Sequence, residues 1–196
     1  VPMGGYNPLP NPKLYESMPG AYISMGETAE NLASRWKISR EEQDQFSLLS
    51  QQKAAKAQNE GKLQDEIIPI PTKNGLVEKD SCIRPDTTLE GLAGLKPAFN
   101  VAGSVTAGSS SPLTDGASAV LVCSEAYAKK HGLDIIARIK SLAVAGCDPE
   151  IMGIGPVAAT KKALARAGLA AKDLDIIELN EAFAVQAMAC LRDLAL

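Results

Sequence analysis

The chain has 196 residues, with 20 Lys and Arg against 23 Asp and Glu, one His and four Cys; hydrophobic residues make up 45% and aromatics 4%. A formal charge of −3 and a pI near 5.3 exclude a nucleic acid or an anionic membrane held by bulk electrostatics. Mean hydropathy is −0.03, no apolar run approaches the roughly 18 residues of a spanning helix, and the composition is not that of a disordered chain. The sequence reads as a soluble globular chain with enough length to bury a core.

Val1 is not an initiator Met, and no charged segment with an apolar stretch follows it. At the other end a helical pattern stops at Leu196 without a Gly cap or a Pro, so the chain reads as a piece of something longer. Residues 1–23 are rich in Pro, Gly and Asn and read as an extended loop. A first helix is expected over Thr28 to Trp36. A second starts at Ser39, where Ser39 and Glu42 form a capping box, and runs to Gln58 with Gly61 ending it. Its thin apolar face is Phe46, Leu49, Lys53 and Ala57.

Glu66 to Ile70 reads as a short edge strand, since it contains Pro69. Ala117 to Cys123 is an apolar strand-like run, followed by a helix over Ser124 to His131 that Gly132 closes. Ile135 to Gly146 reads as a strand, and Gly155 and Pro156 open a helix that ends at Gly168. Asp175 to Leu179 reads as a strand leading into a helix from Glu181 onward. This alternation implies a layered α/β domain.

Cys82, Cys123, Cys147 and Cys190 lie far apart, and His131 alone cannot complete a ligand set, so no metal site is expected. They read as reduced structural thiols of a cytosol-like compartment. Two segments carry chemistry. Asn180 and Glu181 stand at a strand-to-helix junction, where sites collect in α/β folds. Asn180 there either caps the helix or holds a water or substrate oxygen on which negative charge develops. Thr106 to Gly116 is a run of small and hydroxyl residues that lets backbone and side-chain donors approach a ligand, or else is a plain Ser-rich turn. It is neither a Walker loop nor a dinucleotide fingerprint.

Taken together these segments resemble the thiolase family, from about Tyr22 to Leu196. The resemblance is carried by Ser24-Met-Gly-Glu-Thr-Ala-Glu-Asn31, Ile38-Ser-Arg-Glu-Glu-Gln-Asp44, Arg84-Pro-Asp-Thr-Thr88 and Leu95-Lys-Pro-Ala-Phe99. It continues through Val105-Thr-Ala-Gly108, Thr114-Asp-Gly116, Gly146-Cys-Asp-Pro149, Ile151-Met-Gly-Ile-Gly-Pro156 and Asn180-Glu-Ala-Phe-Ala184. The stretches from Arg84 to Phe99 and from Gly146 to Pro156 look most like bacterial 3-ketoacyl-CoA thiolases of fatty-acid β-oxidation.

The resemblance implies a layered αβαβα architecture, incomplete here, with a helical loop domain. Residues 1–104 would be the loop domain that covers coenzyme A, residues 105–132 the end of the N-terminal half, and residues 133–196 the start of the C-terminal half. The implied reaction is CoA-dependent cleavage of 3-ketoacyl-CoA to acetyl-CoA and a shortened acyl-CoA, with CoA as substrate and no permanently bound cofactor. Asn180 matches the Asn that positions an oxyanion-hole water, and Glu181 would orient that junction. Met25, Arg84, Phe99 and Ser111 match positions that touch the pantetheine or nucleotide of CoA, and Phe183 lines the acyl end. Arg84 reads otherwise as a solvated surface charge.

Ser24 replaces a His found in many biosynthetic members, which favours a degradative one, and Pro112 follows Ser111 where a small residue is usual. The family's nucleophilic Cys and its Gly-His-Pro and Cys-x-Gly-x-Gly motifs would lie outside this chain, so these residues alone are expected to be inactive. The alternatives are an acetoacetyl-CoA (biosynthetic) thiolase and a non-catalytic CoA-binding protein of the same fold. The resemblance also implies a homodimeric or homotetrameric parent and a hydratase–dehydrogenase partner, while the reduced-looking cysteines and the lack of a visible signal point to a cytoplasmic location.

Overall fold

The computed structural model describes residues 10–196. The part of the N-terminal loop expectation that falls on residues 1–9 lies outside the described residues. From there the expectation changes: Pro12–Ser17 form a short helix (α1), capped by the Asn11 side chain, and Pro19–Tyr22 add a 3-10 turn. The two prolines sit in first turns, where their missing N–H costs nothing.

Helix α2 spans Met25–Trp36 and starts three residues before the expected Thr28. Ser24 accepts from the Glu27 amide while the Glu27 carboxylate accepts from the Ser24 amide, a second capping box. Ala29, Leu32 and Ala33 follow the i, i+3, i+4 spacing of one helix face and are buried. Helix α3 spans Arg40–Asn59 and is capped by Ser39 and Glu42 as expected. Its buried stripe is different: Gln43, Asp44, Ser47 and Ala55 face inward, while Leu49 and Lys53 are exposed. The rotation follows from partners. Arg40 pairs with Asp44 and reaches the Leu92 and Leu95 carbonyls, and Gln43 donates to Ser104 Oγ. These polar contacts outweigh the thin apolar stripe.

The expected strand at Glu66 to Ile70 is displaced. Gln64–Glu66 form a 3-10 turn, and the paired strands are β1, Ile70–Thr72, and β2, Gly75–Val77, antiparallel with Ile70 opposite Val77. Lys73 and Asn74 form the turn, and Thr72 Oγ1 accepts from the Asn74 amide. Helix α4 spans Leu89–Ala93. Helix α5, Glu125–Lys130, and helix α6, Gly155–Ala167, lie where expected, and Gly132 and Gly168 follow them at φ of 64° and 68°.

β1 and β2 form the one named sheet among the described residues. The apolar runs at 117–123, 135–146 and 175–179 therefore carry no strand pairing, contrary to expectation. A ladder requires a neighbouring strand to take its amides and carbonyls, and none lies beside them here. Their side chains are correspondingly open, with Val120 at 86% and Ile136 at 98% exposure. The second run nevertheless lies along α6: Ser141 Oγ donates to the Ala163 carbonyl, and Arg166 donates to the Leu142 carbonyl.

Helix α7 spans Ala184–Leu194, so it starts three residues later than expected. Val185 and Ala189 pack with Leu32, Ala33, Ile38, Val105 and Ile151 in the core. That core joins α2 to α7, with Ile151 supplied by a 3-10 turn at Pro149–Ile154. Trp36 closes the far end, donating from Nε1 to Asp193 Oδ1 at 2.9 Å.

Candidate active site

Two cavities meet at one short segment. The larger, about 620 Å³, is bounded by the polar face of α3 (Ser47, Ser50 and Gln51), by Gly108 to Pro112 and by Glu178 to Glu181. The smaller, about 350 Å³, is lined by Met25, Leu32, Met152, Phe183 and Gln186, and again by Glu178 to Asn180. Glu178, Leu179 and Asn180 thus form a ridge with a hydroxyl-rich chamber on one side and an apolar one on the other.

Asn180 stands on this ridge and is exposed. It does not cap a helix: Phe183 occupies the N-cap position of α7 without a side-chain cap bond. The expectation that Glu181 begins the helix is corrected in the same way. Glu181 lies in the larger cavity, where its Oε2 accepts from Ser50 Oγ at 2.5 Å.

Ser111 also lines the larger cavity, and its amide donates to the Ala182 carbonyl at 2.9 Å. Ser110 and Phe183 form an antiparallel bridge beside it. The loop before them is self-braced. Thr106 and Ser109 form a reciprocal capping box, and Ser110 Oγ donates to the Thr106 carbonyl at 2.6 Å. Small hydroxyl residues thus satisfy a tight turn that a larger side chain would fill.

Met25 and Phe183 share the smaller cavity. Phe99 meets Phe183 edge to face, with centroids 5.9 Å apart and planes at 81°, a favoured aromatic arrangement. Phe99 lies over Gly26, where a Cβ would overlap its ring. Met25, Ser111 and Phe183 therefore line the two cavities that meet at Asn180, and Phe99 joins them through its contact with Phe183. Arg84 stands apart. Its amide donates to Gln51 Oε1 at 2.7 Å and its neighbours Cys82 and Ile83 line the larger cavity, but Arg84 itself does not.

Sequence reasoning missed Ser50 and Gln51, whose bonds to Glu181 and to the Arg84 amide span 131 and 33 positions. Each acts across a long sequence separation, and no local pattern marks them. Cys190 is buried on α7 with its thiol donating to the Gly153 carbonyl at 3.2 Å, and burial pushes that thiol up, which disfavours a thiolate. Among the described residues no group of three or more His, Cys, Asp or Glu could hold a metal ion, and no helix is long and apolar enough to cross a membrane.

The sequence model of the thiolase N-terminal domain matches residues 15–126, and that of the thiolase C-terminal domain matches residues 133–196. The chain belongs to the thiolase family. A 3-ketoacyl-CoA thiolase of Aliivibrio fischeri is 57% identical over 189 residues, covering 93% of this chain and 49% of that relative. Human mitochondrial 3-ketoacyl-CoA thiolase superposes with a TM-score of 0.86 at 47% identity, covering 94% of this chain and 48% of that one. The acetyl-CoA acetyltransferase of Bacillus anthracis gives 0.85 at 48% identity, covering 89% and 45%. The fold is thus that of the α/β thiolases, and the chain spans about half the length of the curated relatives it matches.

Proposed function

We propose that these residues form the CoA-covering part and one side of the reaction chamber of a thiolase that cleaves 3-ketoacyl-CoA with CoA. The reaction yields acetyl-CoA and a shortened acyl-CoA. The observation that carries the reading is the ridge at Asn180, with hydroxyl groups on one side and, on the other, Met25 and Phe183, the latter backed by Phe99. Thioester chemistry needs a thiolate, a base and fixed donors for the oxyanion and enolate. The Asn180 amide supplies a donor on the ridge through a held water, and Glu181, tied to Ser50, orients that turn. Ser111, Met25 and Phe99 face the pantetheine or nucleotide of CoA, Arg84 the adenosine or its phosphates, and Phe183 the acyl end. The division at residues 104 and 132 belongs to the same reading.

The sequence contains neither Gly-His-Pro nor Cys-x-Gly-x-Gly. The thiolate and base are therefore supplied by other residues of the parent polypeptide. Ser24 supports a degradative member: its hydroxyl caps α2, and no imidazole stands at this position. The homodimeric or homotetrameric state and the hydratase–dehydrogenase partner rest on the family resemblance, and the cytoplasmic location on the cysteine pattern and the lack of a visible signal in the sequence.

The test begins by sequencing the DNA on both sides of this reading frame. The polypeptide it encodes is then assayed for CoA-dependent cleavage of 3-ketoacyl-CoA of graded length. Thiolysis that falls by about 100-fold or more in kcat with Asn180→Ala is the expected result, as for loss of one oxyanion donor. Flanking stop codons, or a flanking sequence without a reactive Cys and His, would overturn the catalytic reading.

A further inference from the structure

Helix α2 and the hydroxyl loop are joined by one side chain. The Glu30 carboxylate accepts from the Ser104 amide, with both oxygens at 3.0 Å, and from the Val105 amide at 2.9 Å. Ser104 Oγ lies 3.4 Å from Oε2 and also accepts from Gln43 Nε2 at 2.9 Å. Gly103 completes the fit, because a Cβ there would run into the carboxylate. These are charge-assisted bonds to backbone amides, about twice as strong as neutral ones.

From this anchor an unbroken series of contacts leads to the candidate site. Val105 is fully buried and its carbonyl accepts from the Ala98 amide, while Pro97 and Thr106 form a bridge. Thr106 braces Ser109 and Ser110, and Ser111 binds Ala182. On the other side, α2 carries Met25 and Gly26, Gly26 supports Phe99, and Phe99 meets Phe183. The circuit closes on α2, where the Glu30 carboxylate supplies the charged contact to residues 104 and 105.

We infer that Glu30 is a positioning residue whose carboxylate fixes the register of residues 104–111 and, with it, the place of Ser111 against Ala182. The importance of that register for CoA rests on the function proposed above. The geometric claim stands by itself.

The two are separated by amide measurements on the 196-residue chain and by CoA binding to the parent polypeptide that contains it. Amide spectra and hydrogen exchange are recorded for wild type, Glu30→Gln and Glu30→Ala, and CoA is the binding probe for the parent. Glu30→Gln keeps the shape and one acceptor oxygen, so it controls for loss of fold. In wild type the Ser104 and Val105 amides resonate downfield and exchange slowly. In Glu30→Ala they exchange about tenfold faster or more, the scale for losing one such bond. The Ser111 amide shifts in both variants, α6 amides stay in place, and Glu30→Gln exchanges at a rate between the other two.

A Ser111 amide unmoved in both variants would overturn the proposal, as would equal changes throughout α6, which mark a merely structural role. CoA affinity about tenfold weaker in Glu30→Ala supports the functional clause. CoA affinity unchanged while Ser111 moves overturns that clause. Absence of CoA binding by the wild-type parent counts against the proposed function, and the amides still decide the role of Glu30.

Discussion

Ser50 and Glu181, 131 positions apart, share a hydrogen bond of 2.5 Å across the larger cavity. It ties the middle of α3 to the turn that precedes α7. Ser50→Ala removes the donor while leaving the carboxylate in open solvent. The expected cost to stability is about 1 kcal/mol, below the usual range for charged hydrogen bonds because water replaces the donor. Urea denaturation of the two proteins checks it, and no change would mean that the pair contributes nothing to folding.

The core makes a larger demand. Leu32 is fully buried between α2 and α7, so Leu32→Ala removes packed methyl groups and leaves a cavity. The expected loss is about 2–5 kcal/mol. Leu49→Ala, on the open face of α3, stays within about 0.5 kcal/mol. Equal midpoints for these two variants would contradict the burial described above.

At Gly26 the effect is one of shape. A methyl group there displaces the Phe99 ring and breaks its edge-to-face contact with Phe183. Gly26→Ala should therefore abolish the ring-current shifts between the two rings while the capping box at Ser24 persists. Retained shifts would mean that Phe99 does not rest on this glycine.

Acid should loosen a different place. The Arg138 guanidinium and then the Lys129 ammonium hold the Glu125 carboxyl down at about 2. A depressed folded value means that the carboxylate stabilises above its ordinary unfolded range. That contribution is lost as pH falls from about 4.5 toward 2. Carbon-detected titration of Glu125 should show the low midpoint, and Arg138→Ala should raise it toward the usual carboxylate range. A midpoint that ignores the substitution would exclude Arg138 as the cause.

Much of the helical framework was legible because its signals are local. Ser39 and Glu42 mark a helix start three residues apart, and Gly132 and Gly168 mark ends. The same rule applied at Ser24 and Glu27 places the start of α2 correctly. The apolar runs at 117–123, 135–146 and 175–179 have strand composition, but a strand also needs a neighbour, which composition does not encode. The site divides similarly. Met25, Asn180 and Phe183 stand in recognisable motifs and Ser111 in the small-residue run; Glu30 shares the motif of Met25, but its contact across 74 positions, like that of Ser50 across 131, leaves no periodic trace.

The sole tryptophan sits at the end of α2, bonded through its indole to Asp193 and through its carbonyl to Arg192, which also pairs with Glu42. Its partners Asp193 and Arg192 come from the segment matched by the C-terminal domain model, and Trp36 itself from the segment matched by the N-terminal one. Tryptophan emission, excited at wavelengths where the tyrosines do not absorb, therefore has a single source placed on the seam between these two regions. A red shift that precedes the loss of helical signal would time their separation directly, and the molecule needs no added label to report it.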